Sequence, residues 1–138
     1  HASANKRLTK LKPSRTLSKD KYIGDFVFAT ADKVLATMYL APKGIGLIMD
    51  PELKPPKIMI CADEAEYKSK DKGGVIYTVD ASSFVESPQK ELSAYEFASI
   101  QAVQPISSEA YESSLDAMKQ FGIEVEFIDQ KTYDSLAH

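Results

Sequence analysis

The chain has 138 residues, 43% apolar and 27% charged, and its 17 Lys and Arg against 20 Asp and Glu leave a net charge of −3. A chain of that length buries about two thirds of the surface its unfolded form exposes, so a single domain over 1–138 with its own core is expected. The mild acidity argues against nonspecific attraction to nucleic acid or anionic membrane beyond a small local patch. No apolar run, Ile45 to Met49 included, approaches the ~20 residues that cross a bilayer. Cys61 is the single cysteine, which excludes an intramolecular disulfide and a thiolate metal cluster. With no charged-then-apolar leader at the start, the expectation is a soluble, unexported, cytoplasmic protein with no membrane contact. The chain opens on His1 and closes on Ala137-His138, so its ends read as trimmed or added.

From His1 to Gly24, seven Lys and Arg mix with Ser and Thr around two spaced apolar anchors, Leu8 and Leu11; this reads as loop plus a short element. Pro13-Ser14 fits a turn, and Gly24-Asp25 opens a strand at Phe26-Val27-Phe28-Ala29. Thr30-Ala31-Asp32 then starts a helix whose Val34, Leu35 and Met38 share one face, and Pro42 with Gly44 ends it. Gly44 to Met49 and Lys57 to Ala62 read as two strands around a proline-rich loop. Asp63 to Lys72 alternates acid and base as a solvated turn or helical segment, broken by Gly73-Gly74. Val75 to Val79 is the most strand-like stretch, and Asp80 to Ser83 is a turn.

Glu86 to Ser93 is polar and expected to be exposed, and Ala94 to Ser99 reads as a strand or an irregular edge. Val103 to Ile106 is expected as an edge strand because Pro105 cannot donate to a neighbour. Ser107-Ser108 should cap a helix with Tyr111, Leu115 and Met118 in the core, stopped by Gly122. Ile123, Val125 and Phe127 alternate with Glu124 and Glu126 as a half-buried strand, and Lys131 to Leu136 forms an outer turn. About six short strands and two main flanking helices, without βαβ alternation, give an α+β domain with largely antiparallel sheets.

Standard signatures for chemistry are missing. There is no GxxxxGK(S/T) loop, Gly44-Ile45-Gly46 lacks the third glycine of a dinucleotide turn, and two histidines at opposite ends make neither a metal site nor a triad. Cys61, after Ile58-Met59-Ile60, reads as a small buried strand residue.

Three separated pieces do carry a pattern: His1-Ala2-Ser3, then Phe26-Val27-Phe28-Ala29-Thr30 feeding the helix that contains Tyr39, and Tyr95-Glu96-Phe97. Their order and spacing resemble the ADP-ribosyltransferase superfamily, which includes the poly(ADP-ribose) polymerases and the RNA 2′-phosphotransferases. There, a first strand ends in His-x-(Ser/Thr), an aromatic strand leads to a helix, and a late strand carries Glu. The resemblance implies an ADP-ribosyltransferase-like α+β fold that binds a nucleotide, with NAD as substrate, no metal, and ADP-ribose transfer to a protein, nucleic acid or water.

By that resemblance Glu96 is the catalytic acid, and His1 and Ser3 hydrogen-bond a ribose. Phe28 or Tyr39 packs on nicotinamide or a base, and Thr30 joins the binding residues. Glu86 and Glu91 compete with Glu96 for the acid's place. The phosphotransferase branch would use arginines, of which the chain has Arg7 and Arg15. Plainer accounts stay open: His1 as a tag remnant or surface residue, and Glu96 as an outward residue of an edge strand.

A second resemblance runs through Asp71 to Thr78, Tyr95 to Phe97, Val103 to Ile106 and Tyr111 to Met118. It is to a group of small bacterial and phage proteins without an assigned activity, and implies no substrate. The alternatives to an enzyme are a noncatalytic binding module that keeps the cleft, or an assembly protein using the edge near Pro105.

Overall fold

Among residues 1–89 and 95–137, which this computed structural model describes, ten strands make three small sheets and four helices cover them. The first sheet orders β1 (Ala2–Ser3), β6 (Gly74–Thr78) and β9 (Ser107–Tyr111). The second orders β10 (Glu124–Ile128), β5 (Lys57–Cys61) and β4 (Gly46–Asp50). The third orders β2 (Ser14–Ser18), β3 (Lys21–Ala29), β8 (Phe97–Ser99) and β7 (Val85–Glu86). Only the pairing of β5 with β10 is parallel. The architecture is therefore α+β and largely antiparallel, as the absence of βαβ alternation predicts. No helix of the described residues is long and apolar enough to cross a membrane.

The main core forms where α1 (Lys33–Met38), α2 (Glu64–Lys70) and α3 (Ser114–Gln120) meet the second sheet. Leu35 and Met38 pack with Ile58, Ile60, Tyr67, Leu115, Met118 and Ile123. Asp32 caps α1 as expected, its Oδ1 accepting from the Val34 N–H at 2.9 Å. Gly122 ends α3 at φ +77°, the left-handed conformation that a glycine adopts without strain. The fourth helix, α4 (Gln130–Ala137), lies outside, and its Tyr133 ring fills the space where a Cβ on Gly46 would stand.

Several expectations need correction. Helices number four among the described residues, not two. Gly24 sits inside β3 instead of opening it. Val103 makes only an isolated bridge to Leu11, with reciprocal N–H···O bonds of 2.8 and 2.9 Å, and the strand lies further on, at β9. Ser107-Ser108 therefore pair with Tyr77 and Thr78 instead of capping a helix, because β6 offers an unpaired edge whose hydrogen bonds outweigh a local cap. Tyr111 falls in that strand, half-buried, and the helix starts at Ser114.

Asp63 to Lys72 is not wholly solvated. Tyr67 on α2 is 0% exposed, and its Oη shares a hydrogen with Ser114 Oγ at 2.5 Å. Burial pushes the Tyr67 phenol up to about 12, the Ser114 bond notwithstanding, so it stays neutral. Ser87, in a stretch expected to be exposed, is buried; residues 90–93, and Ala94 beyond them, lie outside the described residues. Cys61 is half-buried, with Sγ 3.4 Å from Gln130 Oε1.

The turn into β6 is held by a close approach. Gly73 has φ +64°, and a Cβ there would stand 2.0 Å from the Tyr111 carbonyl oxygen. Gly73→Ala is expected to cost more than about 2 kcal/mol, since the backbone strain and the clash with main chain add. Urea unfolding of the variant checks this.

Candidate functional site

β3 ends at Ala29 and the chain turns at Thr30 into α1, the direct strand-to-helix passage the sequence predicts. The Thr30 hydroxyl accepts from the Asp32 N–H at 3.2 Å, which sets the turn. Beside this turn runs β1, antiparallel to β6, with Ala2 opposite Ile76 and Ser3 opposite Val75. His1 continues the ladder: the Tyr77 N–H donates to its carbonyl at 2.7 Å and its backbone nitrogen to the Tyr77 carbonyl at 3.1 Å. The imidazole reaches across to β3, where Nδ1 lies 2.7 Å from the Phe28 carbonyl oxygen. A carbonyl can only accept, so Nδ1 carries a hydrogen; in the neutral ring Nε2 is then an acceptor. His1 thus ties the first sheet to the third at the mouth of the strand-to-helix turn.

Glu96 stands directly before β8, which pairs with β3 so that Ala29 faces Phe97. Its backbone carbonyl accepts from the Ser87 N–H at 3.3 Å, and its Oε1 lies 3.5 Å from the Ser87 hydroxyl. Burial pushes the Glu96 carboxyl above the usual carboxylate range, with the Ser87 hydroxyl pulling partly the other way. Tyr39, at the C-terminal cap of α1, has its phenol raised by burial and by the charge of Glu96, which places the two in each other's field.

These pieces close on one pocket of about 350 Å³, whose walls include His1, Phe28, Thr30, Tyr39 and Glu96. Five of the six expected site residues are thus brought together. Ser3 is not: it does not line the pocket, and its hydroxyl accepts from the Asn5 N–H at 3.1 Å in a local turn. Of the competing acids, Glu86 is exposed on β7 and does not line the pocket, and Glu91 lies outside the described residues. The remaining walls are Ala2, Ala29, Ala36, Gln89 and Tyr95. Tyr95 adjoins Glu96 and had a signal in the sequence; Gln89 and Ala36 had none. The Tyr95 hydroxyl donates to the Glu52 carboxylate.

Among the described residues the wall is mainly apolar and aromatic, with the Glu96 carboxylate and the His1 imidazole among its polar groups and no Lys or Arg. Among the described residues, no group of three or more His, Cys, Asp and Glu could hold a metal ion. No protein-family model, curated protein or solved structure matches the chain.

Proposed function

We propose that this pocket takes the nicotinamide and ribose of NAD, in a fold of the ADP-ribosyltransferase kind, and that the chain cleaves NAD there and passes ADP-ribose to an acceptor. The observation that carries this reading is the convergence of His1, Phe28, Thr30, Tyr39 and Glu96, drawn from three short and distant motifs, on one cavity. Its volume of about 350 Å³ is at the lower end for ligand pockets, ~300–1,000 Å³, and suits one ring and its sugar.

In the reaction, the bond between ribose C1 and the nicotinamide nitrogen breaks and its electron pair leaves with nicotinamide. Positive charge develops on the ribose, and a nucleophile of the acceptor bonds to C1 and releases its proton. The Glu96 carboxylate, fixed in a half-buried wall, suits a ribose hydroxyl whose hydrogen bond strengthens as that charge grows. Phe28 and Tyr39 supply ring faces, and the imidazole of His1, oriented through Nδ1, can accept at Nε2.

A second reading, a noncatalytic module that binds the ring and sugar only, draws support from the mainly apolar and aromatic wall, where Phe28, Tyr39 and Tyr95 offer ring faces. Incubation with NAD separates the two. Nicotinamide release above the blank is expected; saturable NAD binding without release would favour the module, and neither binding nor release would remove both.

A further inference from the structure

We propose that the amino-terminal segment is a nucleic-acid-binding surface that tracks a phosphodiester backbone past the pocket. The charge of this chain is segregated. Residues 1–24 hold seven Lys and Arg and one acid, Asp20, for a net +6, while the remainder holds ten cations and nineteen acids, for −9. Overall acidity conceals a basic strip, and local field, not net charge, governs attraction to a polyanion at close range.

The strip is ordered. Leu8 and Leu11 pack on Val27, Val75 and Tyr77, while Lys6, Arg7, Lys10 and Lys12 around them are exposed. The Tyr77 hydroxyl donates to the Asn5 carbonyl at 2.7 Å and accepts from the Leu8 N–H at 3.1 Å, and Leu11 is bridged to Val103. The strip continues along β2, an edge strand, with Arg15 exposed on it and Lys19 and Lys21 at its far turn. Arg15 lies 4.9 Å from the centroid of the exposed Tyr22 ring, giving a stacking surface beside the cations.

None of the five ion pairs among the described residues uses a cation of this segment. Asp20 lies within the segment, and Asp25 stands opposite Arg15 in the ladder and accepts from the Tyr22 hydroxyl. Because the backbone beneath these cations is already pinned, binding phosphates orders side chains and not main chain. The strip begins three residues after Ser3, so the chain runs from the His1 and Ala2 of the pocket wall through β1 directly into Lys6 and Arg7. The surface stands without the pocket reading; that the bound strand is the ADP-ribose acceptor rests on it.

Fluorescence anisotropy with a labelled single-stranded DNA oligonucleotide, without NAD, tests the surface. Lys10→Gln/Lys12→Gln/Lys21→Gln is compared with Lys43→Gln/Lys68→Gln/Lys131→Gln, which changes net charge equally elsewhere. Binding should fall steeply with salt, and the first variant should weaken it roughly tenfold or more and reduce the slope of log K against log salt by about 1 per residue removed, the second leaving both unchanged. No binding by wild type, equal loss in both variants, or equal affinity for polyglutamate or for phosphatidylserine vesicles would overturn it. With NAD labelled in its ADP-ribose, transfer to the oligonucleotide reads the acceptor role separately, so binding without transfer removes only that role.

Discussion

Glu96→Gln is expected to lower the rate of nicotinamide release by about two to three orders of magnitude, the usual cost of removing one preorganised group that meets transition-state charge. The exchange keeps the side chain's size and its ability to accept from Ser87, and deletes only the negative charge. Stability should move the other way. Burial holds the Glu96 carboxyl above its ordinary value of 4.5, so the folded state favours the protonated form. As pH rises past that value the unfolded chain releases this proton more readily than the folded one, and wild type loses stability that the Gln variant keeps. The melting temperature of the variant should therefore equal wild type at low pH and exceed it at neutral pH, while wild-type turnover climbs as Glu96 ionises. Equal turnover in the two proteins would remove Glu96 from the reaction, and a variant less stable at neutral pH would show a carboxylate that serves the fold.

How much of the fold and of the pocket the sequence discloses depends on whether near or distant residues set each element. Elements set by local chemistry were legible: Asp32 before α1, the alternation of Val125 and Phe127 with Glu124 and Glu126 along β10, Gly122 after α3, and the two strands around Pro55-Pro56. Elements set by distant partners were not. The Ser-Ser-Glu-Ala-Tyr of β9 has the composition of a helix start and is a strand because β6 lies beside it. Tyr67 is one aromatic residue in a polar helix, too little for a periodic signal, and its burial comes from α3 packed against it. Ser87 looks like any loop serine until Glu96 is brought next to it. The pocket follows the same division. His1, Phe28, Thr30, Tyr39 and Glu96 could be picked out through short motifs, whereas Gln89 and Ala36 enter the wall only because the chain folds them there.

Asp71→Ala should be among the most destabilising substitutions outside the core, at about 2–4 kcal/mol, because one carboxylate serves four donors and links three elements. Asp71 closes α2 through its own N–H to the Tyr67 carbonyl at 2.9 Å. Its Oδ1 accepts from the N–H groups of Gly73 at 3.0 Å and Ser114 at 2.8 Å, and its Oδ2 from the Leu115 N–H and the Ser113 hydroxyl, both at 3.0 Å. Two of these are first-turn donors of α3 that no helical carbonyl can reach, so removal leaves them unpaired in a partly buried place. Burial alone would raise the Asp71 carboxyl, but the Leu115, Ser114 and Gly73 N–H groups outweigh it and hold the group below 3.8. A depressed folded value means the contribution is complete above the unfolded value and is lost as pH falls through the folded one. Denaturant midpoints should thus drop for wild type below about pH 4 and change less for Asp71→Asn, which keeps one acceptor oxygen and has no proton to gain. The consequence reaches the pocket, because β6 follows this anchor directly and Tyr77 on β6 holds His1. If Asp71→Ala left the unfolding free energy within a few tenths of a kcal/mol of wild type, the link from α2 through Gly73 to α3 would not be what holds β6 in place.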